Sequence, residues 1–169
     1  MTAKRFTALI VLVAAERVLE LVVSKRNLQW STAQGGREFG AGHYPVMVAL
    51  HSGLLIGSVL EARRRRSSPI LGRAMLAVVL AAQALRWWCI TTLGRQWNTR
   101  VVVVPGAARV VGGPYRLIPH PNYVAVVTEG AALPLAGGAW ITALVFTVAN
   151  AALLRTRIRV ENEALQGLS

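Results

Sequence analysis

Five apolar blocks govern what this chain can fold into. Phe6–Val23, Tyr44–Leu60, Ala74–Ile90, Tyr123–Ala136 and Ala139–Leu154 are the richest runs. Apolar residues make up 54% of the chain, and the polar sequence left between the blocks is too thin to cover five buried helices with a soluble surface. Each block is somewhat shorter than the ~20 residues that cross a ~30 Å hydrocarbon core, and flanking residues can extend the first three. The last two are joined by "PLAGG" and read as a tight helical hairpin. The expectation is a single domain over 1–169 of the all-α integral membrane class. It has about five transmembrane helices, the last two a helical hairpin, and a short amphipathic C-terminal helix.

The net charge of +12 sits almost wholly between the blocks. "RRRR" at Arg63–Arg66 follows the second block, and Arg155, Arg157 and Arg159 follow the fifth. In a soluble protein such charge points to nucleic acid. Beside apolar blocks it marks basic loops facing anionic lipid, so the expected partners are membrane lipids and no nucleic acid. Five full spans would put "RRRR" and the loop Arg95–Arg116 on opposite sides, and the positive-inside rule cannot satisfy both. Met1–Arg5 followed by an apolar run has the outline of a signal peptide. Glu16, Arg17 and Glu20 interrupt that run and no small-x-small cleavage site follows, so a retained first helix is expected. Cys89 is the only cysteine, which excludes an internal disulfide, and it has no CxxC or His-rich company to form a metal site.

Along the chain, Glu16 and Glu20 are four apart with Arg17 between them, a spacing suited to an ion-pair lock between helices. "SKRNLQWSTAQGGREFGAGHYP" reads as a polar loop ending at Pro45. His51 falls near the middle of helix two, either as an interhelical hydrogen-bonder or as a catalyst. The tryptophans of "QALRWWCITTLGRQW" suit a membrane interface. "RVVVVPG" reads as a short extended piece ending at a turn.

The stretch "GGPYRLIPHPNYVAVVTEG", 112–130, has a different character. Gly112-Gly113-Pro114 allows a sharp turn. Pro119 and Pro121 bracket His120 and hold it extended. Asn122 is placed to cap a helix starting at Tyr123, whose N-terminus is a seat for a carboxylate or phosphate. Two turns on, Glu129 lies in apolar sequence, where a carboxylate is costly unless partnered or used. In the tail "RTRIRVENEALQGL", Arg157 and Glu161 share a helical face. If the last two helices form a hairpin, loop and tail meet on one side of the membrane as a polar cup at the lipid boundary. Gly112-Gly113 is not a dinucleotide fingerprint, and no P-loop, GxSxG, HExxH or glycosidase-like carboxylate pair is present. Spacing alone stops at a membrane enzyme or binder with a loop-plus-tail polar site.

"GGPYRLIPHPNY", a helical hairpin and "RIRVENEAL" together resemble the isoprenylcysteine carboxyl methyltransferase family, most clearly over Val101–Leu165. "HYPVMVALH" and "ERVLELVVSKRN" are similar to its bacterial subgroup found with type III polyketide synthases. The resemblance implies an O-methyltransferase that uses S-adenosyl-L-methionine on a lipophilic acceptor arriving from the bilayer. That acceptor is either a phenolic or pyrone polyketide lipid or a prenylcysteine-like carboxylate. It further implies a bacterial inner-membrane location with the site facing the cytoplasm. Carried over by residue, Gly113, Pro114 and Tyr115 match one motif, and His120, Pro121 and Tyr123 the next. Arg157, Glu161 and Leu165 match the last. The cofactor would lie in a loop over 94–122, bound by these loop residues with Asn122, Glu161 and Asn162, and covered by a tail helix over 155–166. Two positions depart from the family pattern: Pro119 stands for an Arg, for which Arg116 could substitute, and Asn162 for a Glu. Arg157, Glu161, Glu129 and His51 are the catalytic candidates. A carboxylate acceptor needs no base, whereas a phenol or enol benefits from one, with Glu129, His51 and His120 available. The competing classes are an NADPH-dependent membrane reductase and a non-catalytic helical membrane scaffold.

Overall fold

The computed structural model describes residues 2–65 and 67–166; Met1, residues 167–169 and Arg66, the last arginine of the four-residue run, lie outside it. Five helices carry the fold: α1 (Ala3–Ala33), α2 (Tyr44–Arg64), α3 (Pro69–Leu93), α4 (Pro121–Gly137) and α5 (Trp140–Gln166). Their starts follow local chemistry. The Thr2 hydroxyl accepts from the Arg5 amide to open α1, and the Ser68 hydroxyl accepts from the Leu71 amide to open α3 just before Pro69. Two short strands, β1 (Arg37–Phe39) and β2 (Val101–Val103), pair antiparallel with Glu38 opposite Val102. Arg100 reinforces this ribbon. It reaches Glu38 at 2.8 Å and stacks 4.1 Å over the ring of Tyr44.

The expected hairpin of the last two apolar blocks is present. Gly138 takes a left-handed conformation (φ +84°) directly after α4, and the Ala139 amide donates back to the Pro134 carbonyl at 2.9 Å. Glu61, from α2, then caps α5: its carboxylate accepts from the amides of Ile141 (3.1 Å) and Thr142 (2.9 Å). Small residues let the helices close. A Cβ at Gly130 would collide with the Phe146 ring, and one at Gly137 with the ring of Phe6. Phe6, Ile10 and Val13 pack there with Val79, Leu133 and Ala136, filling the end of the bundle away from the cup.

Three stretches are long and apolar enough to cross a membrane: 41–64, 69–96 and 140–166. Helix α1 is longer still, but charges run through its middle, and α4 has only 17 residues. The outer surface is apolar, with Leu12, Ile56, Leu80 and Val148 each more than half exposed, while Glu20, Arg86 and Glu129 are buried. That inversion fits an integral membrane protein.

Three expectations need correction. Ser24–Ala33 is not loop but the last part of α1. Its polar residues Ser24, Asn27 and Ser31 form a buried face, with Asn27 donating to the carbonyls of Gly94 and Trp97 and Ser24 bonded to Asn98 and Thr99. The tail over 155–166 is not a separate short helix; it is the continuation of α5, since no Gly or Pro interrupts the sequence from Trp140 to Gln166. Finally, Asn122 does not cap α4. The helix starts one residue earlier, at Pro121, with His120 in the cap position and no side-chain cap bond.

Candidate functional site

Residues 94–120 cross the end of the bundle, and three anchors hold them there. Asn27 of α1 binds the backbone at Gly94 and Trp97. Ser24 accepts from the Thr99 amide at 3.1 Å. Pro114 is buried, and Gly113, with φ +53°, lies so close to Thr92 and Trp88 that a Cβ there would strike the Thr92 hydroxyl. The GPY turn is therefore fastened to the end of α3, and Tyr115 hydrogen-bonds Cys89. Burial pushes the Tyr115 phenol well above its ordinary value, with Cys89 beside it adding to the effect, so it stays a neutral hydroxyl.

The second motif meets the tail. Tyr123 donates from its hydroxyl to Glu161 at 2.5 Å. His120 Nε2 lies 3.2 Å from Asn162 Oδ1, its Nδ1 is 3.9 Å from Glu161, and its ring stacks on Tyr123 with centroids 5.4 Å apart. Arg157 is buried beneath this group. It donates to the Thr99 carbonyl at 2.8 Å and reaches the Met47 sulfur at 2.7 Å, with its guanidinium 5.9 Å from the Tyr123 ring centre. Loop and tail thus form one polar cup, with His120, Tyr123, Glu161 and Asn162 at its rim and Arg157 at its floor. Asn162 takes the contact to His120. Arg116 is exposed.

Two polar atoms here have no partner: Arg157 Nε and Asn122 Oδ1 are both buried without a hydrogen bond. Leaving such an atom unpaired costs about 1–3 kcal/mol.

Glu129 and His51 stand elsewhere. They line a small cavity one to two turns deeper, with Arg17, Leu54, Arg86 and Phe146. Glu129 is paired with Arg86 at 2.8 Å and with Arg17 at 3.3 Å. Arg17 also binds Glu20 (2.8 Å) and Gln83 (2.9 Å), and Glu16 takes Gln83 and the Trp87 indole. The expected interhelical lock therefore exists, and Glu129 is part of it. His51 bonds the Met47 carbonyl, not Glu129. Sequence reasoning passes over Arg86 and Met47. A lone Arg inside the apolar block Ala74–Ile90 is a signal that could have marked Arg86; nothing in the sequence marks Met47.

Residues 75–167 match the isoprenylcysteine carboxyl methyltransferase (ICMT) family. An uncharacterized protein of Bacillus subtilis, YpbQ, is 41% identical over 97% of this chain and 98% of its own length. An uncharacterized protein of Haemophilus influenzae is 24% identical, covering 92% of each chain. No solved structure matches.

Proposed function

The chain belongs to the isoprenylcysteine carboxyl methyltransferase family, a family of membrane methyltransferases, and from that premise we propose that it transfers the methyl group of S-adenosyl-L-methionine to an oxygen of a lipophilic acceptor. The observation that carries this reading is the cup itself: family-motif residues from 113–123 and 157–162, far apart in sequence, hydrogen-bond one another around unpaired buried atoms.

The residues fit the cofactor. The Arg157 Nε–H and the positive end of α4 suit its carboxylate. Asn122 Oδ1 and the Glu161 carboxylate suit its ammonium and hydroxyl donors, and the Tyr115 and Tyr123 rings bound the space. When bound, the cofactor supplies an electrophilic methyl on a sulfonium. The protein's own part is alignment and exclusion of water, which such a displacement needs more than acid chemistry. The Tyr123–Glu161 bond closes loop onto tail, and Arg157 ties the floor of the cup to Thr99 and to Met47 of α2.

The acceptor, a phenolic or pyrone polyketide lipid or a prenylcysteine-like carboxylate, approaches from the bilayer between helices and presents its head toward the cavity lined by His51 and Glu129. We place the cup on the cytoplasmic side of a bacterial inner membrane, where the cofactor is made. The test is thermal unfolding of the detergent-purified protein with S-adenosylhomocysteine or NADPH. Stabilisation by the former is expected. Stabilisation by NADPH alone would make the protein a reductase, and stabilisation by neither would leave a scaffold.

A further inference from the structure

The cavity beneath the cup holds chemistry that cofactor binding does not use. His51 Nδ1 lies 2.9 Å from the Met47 carbonyl. A carbonyl only accepts, so Nδ1 carries the hydrogen and Nε2, across the ring, keeps its lone pair. The ring is held edge-on to Phe146, with centroids 5.2 Å apart and planes at 86°. Arg17 and Arg86 line the same cavity. Both terminal nitrogens of Arg17 and Nη2 of Arg86 are taken by Glu20, Glu129 and Gln83, yet the Nε–H of each arginine is buried with no hydrogen-bond acceptor. Arg86 comes within 3.7 Å of Glu20 through Nε, too far for a hydrogen bond. The Arg86 side chain is only 7% exposed, so water from outside does not meet that need.

We propose that His51 is the general base for an acceptor bearing an acidic O–H, whose oxygen sits between His51 Nε2 and the guanidiniums of Arg17 and Arg86. This rests on the methyltransferase reading above. A neutral base beside two cationic N–H donors that lack a hydrogen-bond acceptor is complementary to a hydroxyl becoming an oxyanion: the proton goes to one side and the negative charge faces the other. A carboxylate acceptor would use the cations and leave the base idle. Glu129 is the less suitable base, because both its oxygens already face guanidinium nitrogens. It is a positioning residue that holds the two arginines and offers a counter-charge to the imidazolium.

The base and the cup are one turn apart. Met47 touches Arg157 through its sulfur and holds His51 through its carbonyl, and the four-residue step from one to the other rises about 6 Å. In the step, the O–H bond breaks, the proton bonds to Nε2 and its electron pair stays on oxygen. That pair forms the new O–CH3 bond as the C–S bond of the sulfonium breaks and its electrons return to sulfur. The products are a methyl ether, a neutral thioether and a protonated His51, which then releases its proton to water.

The probe is a long-chain 4-alkyl-2-nitrophenol, whose phenolate absorbs visibly, titrated in detergent with the full chain and without methyl donor. The bound probe should ionise about one pH unit or more below the same probe in protein-free micelles. His51→Gln should move the bound value back toward the micelle value. It should also slow methylation of a long-chain phenol by about 10²- to 10⁴-fold while S-adenosylhomocysteine still stabilises the protein. Ionisation of the wild-type-bound probe at the micelle value overturns the proposal, and this measurement stands even if the variant does not fold. A variant that ionises the probe or methylates the phenol as the parent does overturns it too. Loss of the probe shift with stabilisation by S-adenosylhomocysteine intact removes the base and leaves the methyltransferase. A shift in a protein that S-adenosylhomocysteine does not stabilise keeps the ionising cavity and removes the methyltransferase.

Discussion

The mid-bundle charge cluster and the cup are both polar groups set in an apolar molecule, and they are built in opposite ways. In the cluster, Glu16, Glu20 and Glu129 meet Arg17 and Arg86 from three helices, and most of their hydrogen-bonding atoms are paired. The cup is assembled from a loop and a helix end. Its rim side chains are partly exposed, 22% for His120 and 30% for Glu161, and at its floor Arg157 Nε lacks a partner. The lesson is that charge at depth ties α1, α3 and α4 together through ion pairs and leaves one Glu20 oxygen and the Nε–H of Arg17 and Arg86 without a hydrogen bond, whereas at the boundary loop and tail side chains meet one another at a partly exposed rim. Changes in the cluster should therefore be read in stability, and changes in the cup in binding and rate.

The largest effect is expected at the rim. Glu161→Ala removes the acceptor that holds Tyr123 and the partner facing His120, so turnover should vanish while the helical circular dichroism and melting temperature stay near those of the parent. A variant that retains near-parent rates would make the tail a surface element only. Next comes Arg86→Leu, which leaves Glu20 and Glu129 short of a buried cation. It should destabilise the fold by about 3–5 kcal/mol in denaturant titrations, and a stable variant would show that the cluster is not a lock. Smallest is His120→Ala, which should weaken S-adenosylmethionine binding by about 1–3 kcal/mol in calorimetry with little change in stability. Equal affinity would remove His120 from the cofactor site.

The division between the two regions was only partly legible in the sequence. The five apolar blocks mark the five helices, and "PLAGG" marks the hairpin, because both signals are local. The GPY and HPNY motifs with Arg157 and Glu161 mark the parts of the cup. What local pattern does not carry is the partner of a polar residue some seventy positions away. Ser24, Asn27 and Ser31 look like loop by composition, but they follow one-face helical spacing, and the partners of Ser24 and Asn27 are the backbone and side chains of 94–99. Glu129 reads equally as base or as structure until Arg17 and Arg86 are placed beside it. The tail looks like a separate element because its charge changes abruptly, although the backbone has no reason to stop.

Hydrogen–deuterium exchange of the detergent-solubilised protein, with and without saturating S-adenosylhomocysteine, tests the two-region account most directly. The account predicts that the ligand slows exchange in 94–123 and 155–166, where loop and tail close on each other. It predicts no change in the middle of α1 and α3 around Arg17 and Arg86. Protection confined to that middle, or no protection anywhere, would contradict the assignment of the cup as the cofactor site.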